Sequence, residues 1–142
     1  MLYNLEQKTF KNYTYEHNNP QSVTGNIIHS IYFDTLGHVW IGSWDKGLVR
    51  GIEKNDSYVF KQVYSEKLVF SIQQDLEGYI WFTAYSKGII RLDPDNMKYD
   101  LHTPNGKKGL KALYIDRDRN IWSGGDKAFL YVLTLKIKRL HK

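Results

Sequence analysis

The sequence predicts an all-β chain of repeated four-stranded antiparallel sheets, and three observations predict it. The first is a sentence written twice: GHVWIGSWDKGL at 37–48 and GYIWFTAYSKGI at 78–89. The second is a comb of period 41, with Trp40, Trp81 and Trp122 on one set of teeth and Asp34, Asp75 and Asp116 on another. Ile31, Ile72 and Leu113 keep the same period, as do Val39, Ile80 and Ile121. The third is composition: 15% of the residues are aromatic, with 11 Tyr, and these types favour pleated, half-buried surfaces. Four-stranded units of about 40–45 residues mark a β-propeller blade.

Each element of the unit follows from local pattern. Residues 27–33 and 68–74 read as a first strand, apolar on at least one face. DTLG and DLEG follow as turns, in which Asp bonds its own backbone and Gly accepts positive φ. VWIGS and IWFTA are second strands, and WDKG and YSKG are turns closed by Gly. LVRGI and IIRLD are third strands, and YVFKQVY (58–64) and MKYDLHT (97–103) are fourths. No stretch sustains a 3.6-residue apolar period, so essentially no helix is expected.

The third copy, ALYIDRDRNIWSGGDKAFLYVL, is degraded: Arg119-Asn120 follows where the first turn had Gly, and a shortened second turn puts Ala128 in place of the closing Gly. LYNLEQKTFKNY (2–13) matches the last two strands of a blade, and AFLYVL and LKIKRL finish the last repeat. The chain therefore divides into a half blade at 1–15 and blades at 26–64, 67–103 and 108–142, with the polar segment 16–26 as a loop. The expected fold is about three and a half blades in an incomplete or open propeller, since a closed ring needs at least about four. Its two exposed sheet edges are templates for pairing.

Composition excludes several classes. No apolar run reaches the ~18 residues of a bilayer span. The first residues, MLYNLEQKTF, lack the charged start and apolar core of a signal peptide, so the chain as it stands is expected in the cytoplasm. The absence of Cys removes disulfides and thiolate metal sites. The net charge of +5 is dispersed except for LKIKRLHK at 135–142, which reads as a solvated end because no aromatic stacking pattern accompanies it. DRDRN at 116–120 imitates the start of a calcium loop, but Ile121 and Lys127 stand where Gly and a bidentate Glu are required. The five His share no ligand spacing, and no nucleophile triad or phosphate loop stands out. No cofactor, metal or nucleic-acid partner is expected, and no catalysis.

The pattern Asn26, Ile28, Ser30, Ile31, Asp34, Gly37, Val39, Trp40, Ile41, Gly42, Ser43, Gly47, Leu48 resembles the two-component regulator propeller repeat. Phe10, Tyr13, Pro20 and Ser22-Val23-Thr24 are similar to the family's entry into a blade. The second copy keeps Ile72, Asp75, Gly78, Ile80, Trp81, Thr83 and Gly88, and the third Asp116, Ile121 and Trp122. The resemblance implies the periplasmic sensor region of hybrid histidine kinases of gut Bacteroidetes, many of which respond to oligosaccharides. Such sensors also carry a membrane helix, a kinase and a DNA-binding output domain, so this chain looks like a piece of one. Expected partners are an oligosaccharide, the remainder of a sensor kinase, or another copy through the exposed edges. A protein-interaction scaffold, or a truncated remnant without activity of its own, is the alternative.

In a propeller the second-to-third-strand turns and the segments entering each first strand share one rim. Trp44, Asp45 and Lys46, Tyr85, Ser86 and Lys87, and Asp126 and Lys127 lie on those turns. Asn26, Lys67 and Lys108 lie on the entering segments, again 41 apart. Aromatic faces beside polar groups suit a sugar, whose C–H face stacks while its hydroxyls need fixed partners. The same residues also fit ordinary turns, with Trp44 packed on the next blade. The repeated Trp residues 40, 81 and 122 are expected between sheets.

Overall fold

A computed structural model describes residues 2–4, 6 and 9–135. Among them are thirteen strands and no α-helix; two single 3₁₀ turns sit at Pro104–Gly106 and Asp126–Ala128. Strands β1 (Leu2–Asn4) and β2 (Thr9–Lys11) pair as a two-stranded sheet. A four-stranded meander follows: β3 (Ile28–Phe33), β4 (Val39–Ser43), β5 (Gly47–Lys54) and β6 (Ser57–Tyr64). The second meander is β7 (Val69–Gln74), β8 (Ile80–Ala84), β9 (Gly88–Leu92) and β10 (Tyr99–His102). The third comprises β11 (Leu110–Ile115), β12 (Asn120–Gly125) and β13 (Leu130–Thr134). Every pairing is antiparallel between neighbours in sequence, as in propeller blades. Beyond Leu135, the expected strand at 135–140 and the basic tail lie outside the described residues.

The sheets stack face to face. Trp40 and Leu48 of the first meander are buried against Val69, Ile72, Ile80 and Phe82 of the second. Trp81 and Ile89 are buried in turn against Leu110, Leu113 and Ile121 of the third. The free face of the first sheet is partly covered by Tyr13 and Val23, held by the loop whose Ser22 Oγ donates to the Asn19 carbonyl at 2.9 Å. Strands β4 and β8 are buried along their whole length because side chains cover both of their faces.

The Asp and Trp combs turn out to be one device. In all three first turns the Asp Oδ1 accepts the backbone N–H groups two and four residues on, each at 2.9–3.0 Å. The Oδ2 accepts the indole N–H of the Trp six residues on: Trp40 to Asp34 at 2.9 Å, Trp81 to Asp75 and Trp122 to Asp116 at 2.7 Å. The turn and the buried ring are thus locked together, and the indole keeps a partner where water is excluded. Burial works to raise the Asp34 carboxyl, but the Trp40 and His38 hydrogen bonds outweigh it and hold the group below its ordinary 3.8. Hydrogen bonds from Trp122 and Asn120 lower Asp116 likewise. A depressed carboxyl contributes stability above its unfolded value and loses it as pH falls through the folded one. Acid titration followed by circular dichroism is therefore expected to show stability falling below pH 3.8, with a shallower fall in Asp34→Asn.

Two expectations need correction. Trp122 is 37% exposed, because no described residue covers that face of the third sheet. The second turn of the third copy is not shortened. Gly124 pairs with Leu130 as Gly42 pairs with Leu48, so Phe129, not Ala128, takes the place of the closing glycine. The turn copes without Gly by putting Lys127 and Ala128 in the left-handed region, at φ 65° and 55°. Arg119 does the same at φ 67°, one period after Gly78.

Candidate functional site

The turns and the entering segments meet along one rim. The Trp44 N–H donates to the Ile27 carbonyl, and the Trp44 carbonyl accepts from Leu68, both at 2.9 Å. Tyr85 donates to Leu68 at 3.0 Å and accepts from Gly109 at 2.7 Å; Asp126 donates to Gly109 at 3.1 Å. This backbone relay runs across three sheets through residues 44, 85 and 126, one period apart.

A second set of residues faces it. Each first strand carries a register shift near its start, between Ile28 and Ser30, Val69 and Ile72, and Leu110 and Ala112. The residues left out of the ladder include His29, Phe70 and Lys111, again 41 apart. A bulge kinks a strand and re-aims a side chain, and bulges are common beside functional sites. Here the bulged residues interleave with the turn residues. The His29 ring lies 5.6 Å from Trp44 and 4.5 Å from Phe70. Phe70 lies 6.5 Å from Trp44 and 5.8 Å from Tyr85. The Lys111 Nζ stands 5.5 Å from the Tyr85 ring centroid and 5.8 Å from that of Phe70.

The row ends in a polar group. Asp126 accepts from Lys111 Nζ at 2.8 Å and from the Tyr85 hydroxyl in a short hydrogen bond. These bonds lower the Asp126 carboxyl and raise both the Tyr85 hydroxyl and the Lys111 ammonium. Around neutrality the site therefore presents a carboxylate, an ammonium and a neutral phenol. Next to it a cleft of about 580 Å³ is lined by Tyr85, Ser86, Lys107, Lys108, Asp126 and Phe129. Half-exposed aromatic faces beside fixed hydrogen-bonding groups can stack on and orient a polar ligand. Among the described residues no group of three or more His, Cys, Asp or Glu is placed to hold a metal ion.

The residues expected at the site divide into three groups. Trp44, 47% exposed, and Tyr85 are brought together through Phe70. Asp45 accepts from the Ser43 hydroxyl at 2.8 Å, Lys46 offers its carbonyl to Gln62, and Lys87 lies 3.8 Å from Glu66. These three are turn residues beside the aromatic row rather than in it. Ser86 is exposed and lines the cleft, while Asn26 and Lys67 are exposed on the entering segments. His29, Phe70 and Lys111 were not anticipated. They do lie on the 41-residue comb, but their types differ, so matching by residue type passes over them.

Residues 22–45 match the family model described as "Two component regulator propeller". No curated protein matches the sequence. Among solved structures, the chain is similar to an extracellular domain described as that of the hybrid two component system BT3049 of B. thetaiotaomicron. The identity is 18%, over 93% of this chain and 19% of the other, with a TM-score of 0.76. The corresponding domain of BT4673 from the same organism is 20% identical over 94% of this chain and 21% of its own, with a TM-score of 0.65. The chain thus spans about a fifth of the length of either domain. The match at residues 22–45 thus identifies one two-component regulator propeller repeat within the chain, and its antiparallel meanders are built as propeller blades are.

Proposed function

We propose that the chain is a ligand-sensing segment of a two-component regulatory sensor, facing the periplasm, that recognises oligosaccharides and signals to a histidine kinase. The observation that carries this reading is the interleaved row of His29, Trp44, Phe70, Tyr85, Lys111 and Asp126 on one rim. A backbone hydrogen-bond relay crosses all three sheets at that rim. A ligand lying across it would touch adjacent blades at once and bias their relative setting, which is what a sensor must transmit. Binding rather than catalysis is proposed, since the row offers stacking faces and fixed donors. The test is calorimetric titration of the 142-residue chain with plant and host oligosaccharides. Binding is expected for at least one, and to weaken about tenfold in Trp44→Ala or Tyr85→Ala, the loss of one stacking face. Unchanged affinity in both variants would remove the rim from consideration.

A second reading, a protein-interaction scaffold, has its own observation. Ile28 and Ile31 are exposed on the first sheet, while their counterparts one period on, Val69 and Ile72, are buried between sheets. Leu130 and Trp122 are likewise exposed on the third sheet, where Ile89 and Trp81 are buried on the second. Among the described residues both outer faces are thus blade–blade contacts without a covering blade, and a further sheet of the same type would fit either. Sedimentation velocity across a concentration series tests it: self-association that Ile31→Asp abolishes supports the scaffold, and a monomer throughout sinks self-association.

A further inference from the structure

The charges are sorted between the two rims. Turns 44–47, 85–88 and 126–129 and entering segments 65–68 and 103–109 carry Lys46, Lys67, Lys87, Lys107, Lys108 and Lys127. Against these six stand three carboxylates, Asp45, Glu66 and Asp126. The opposite turns, 34–38, 75–79, 93–98 and 116–119, carry seven carboxylates and three basic residues, Lys98, Arg117 and Arg119.

The lysines of the first rim are also poorly neutralised. Asp126 is engaged by Lys111 and Tyr85, Asp45 accepts from Ser43, and Glu66 stands near Lys87. Among the described residues, no carboxylate lies within 4.0 Å of Lys46, Lys67, Lys107, Lys108 or Lys127. Lys107, Lys108 and Lys127 converge on the cleft beside Tyr85, and the Lys107 Nζ sits 5.2 Å from the Phe129 ring centroid. A concave surface lined by one sign of charge concentrates ligands of the other sign.

We infer that the rim selects anionic oligosaccharides, chains bearing carboxylate or sulfate groups, through the lysines around the Tyr85–Asp126 cleft. The inference rests on the sugar-sensing reading above. The ring faces of Trp44, Phe70 and Tyr85 take the C–H faces of the sugar. Lys107, Lys108 and Lys127 take the anionic substituents of the adjoining residue, and Asp126 is already satisfied and so accepts little more from the ligand.

Four probes test this by calorimetry on the full chain: a galacturonate tetramer, a sulfated carrageenan tetrasaccharide, cellotetraose and inorganic tripolyphosphate. The first or second is expected to bind about tenfold more tightly than cellotetraose and to weaken about tenfold between roughly 50 and 300 mM NaCl. Which of the two binds assigns the carboxylate or the sulfate. Lys108→Gln with Lys127→Gln is expected to weaken the charged sugar about fivefold or more while leaving the thermal midpoint in place, since both side chains are exposed. Cellotetraose binding as tightly as the charged sugars, or a double variant without effect, overturns the anionic selection and leaves the sugar reading standing. Tripolyphosphate binding as tightly as the sugars, with Tyr85→Ala silent, overturns the sugar reading. Failure of all three oligosaccharides overturns both.

Discussion

Trp81→Ala is expected to destabilise the chain by ~3–5 kcal/mol, a large part of the total stability of a domain this size. The ring is fully buried between the second and third sheets, against Ile89, Leu110, Leu113 and Ile121. His102 stacks on it at 5.5 Å, and its N–H donates to Asp75 at 2.7 Å. Removing it opens a cavity that rigid strands cannot collapse, and it also takes the indole donor from a carboxylate that is nearly buried. Two comparisons separate these effects. Trp81→Phe keeps most of the ring but loses the donor, and is expected to cost ~1–3 kcal/mol. Trp122→Ala removes the same residue one period later, where 37% of it is already exposed, and is expected to cost less than half as much as Trp81→Ala. Urea unfolding monitored by circular dichroism reads all three. Equal losses at Trp81 and Trp122 would mean that the rings are not stabilised by stacking between sheets.

The same contrast shows what the sequence carries. Strands β3 to β13 were legible because a meander of short strands is specified locally, by alternation within each strand and Gly or Asp at each turn. The period of 41 then placed them in equivalent sheets. The Asp–Trp bond was half legible: both combs were visible, but the link across six residues depends on the turn bringing Oδ2 under the indole. The bulged residues were hidden for a different reason. His29, Phe70 and Lys111 occupy one structural position with three chemistries, and what unites them is a slip in the hydrogen-bond ladder. Side-chain type does not encode that slip. The third-copy turn departs from its expected length because its closing position requires space and a suitable φ rather than Gly itself, and Phe129 takes that position.

That distinction predicts opposite fates for two glycines of the first repeat. Gly37 has φ +83°, and a Cβ built there would meet nothing within 4 Å. Gly37→Ala is therefore expected to cost only the left-handed backbone, ~1 kcal/mol. Arg119, at φ 67° two periods later, already shows that a side chain fits this turn. Gly47 has φ +71°, but its Cβ would lie 2.1 Å from the Tyr64 carbonyl oxygen and 2.6 Å from that of Glu66. Both are backbone atoms, at the end of β6 and in the segment leading to the second sheet, so neither can swing aside. Gly47→Ala is expected to add overlap to backbone strain, for a loss of ~2–5 kcal/mol. Because the displaced backbone leads directly to Leu68, whose N–H bonds the Trp44 carbonyl at 2.9 Å, the variant should also loosen the rim. Hydrogen exchange at the Leu68 amide is expected to accelerate in Gly47→Ala and to stay unchanged in Gly37→Ala. Equal costs for the two substitutions would show that the close approach at Gly47 does not hold the first sheet to the second.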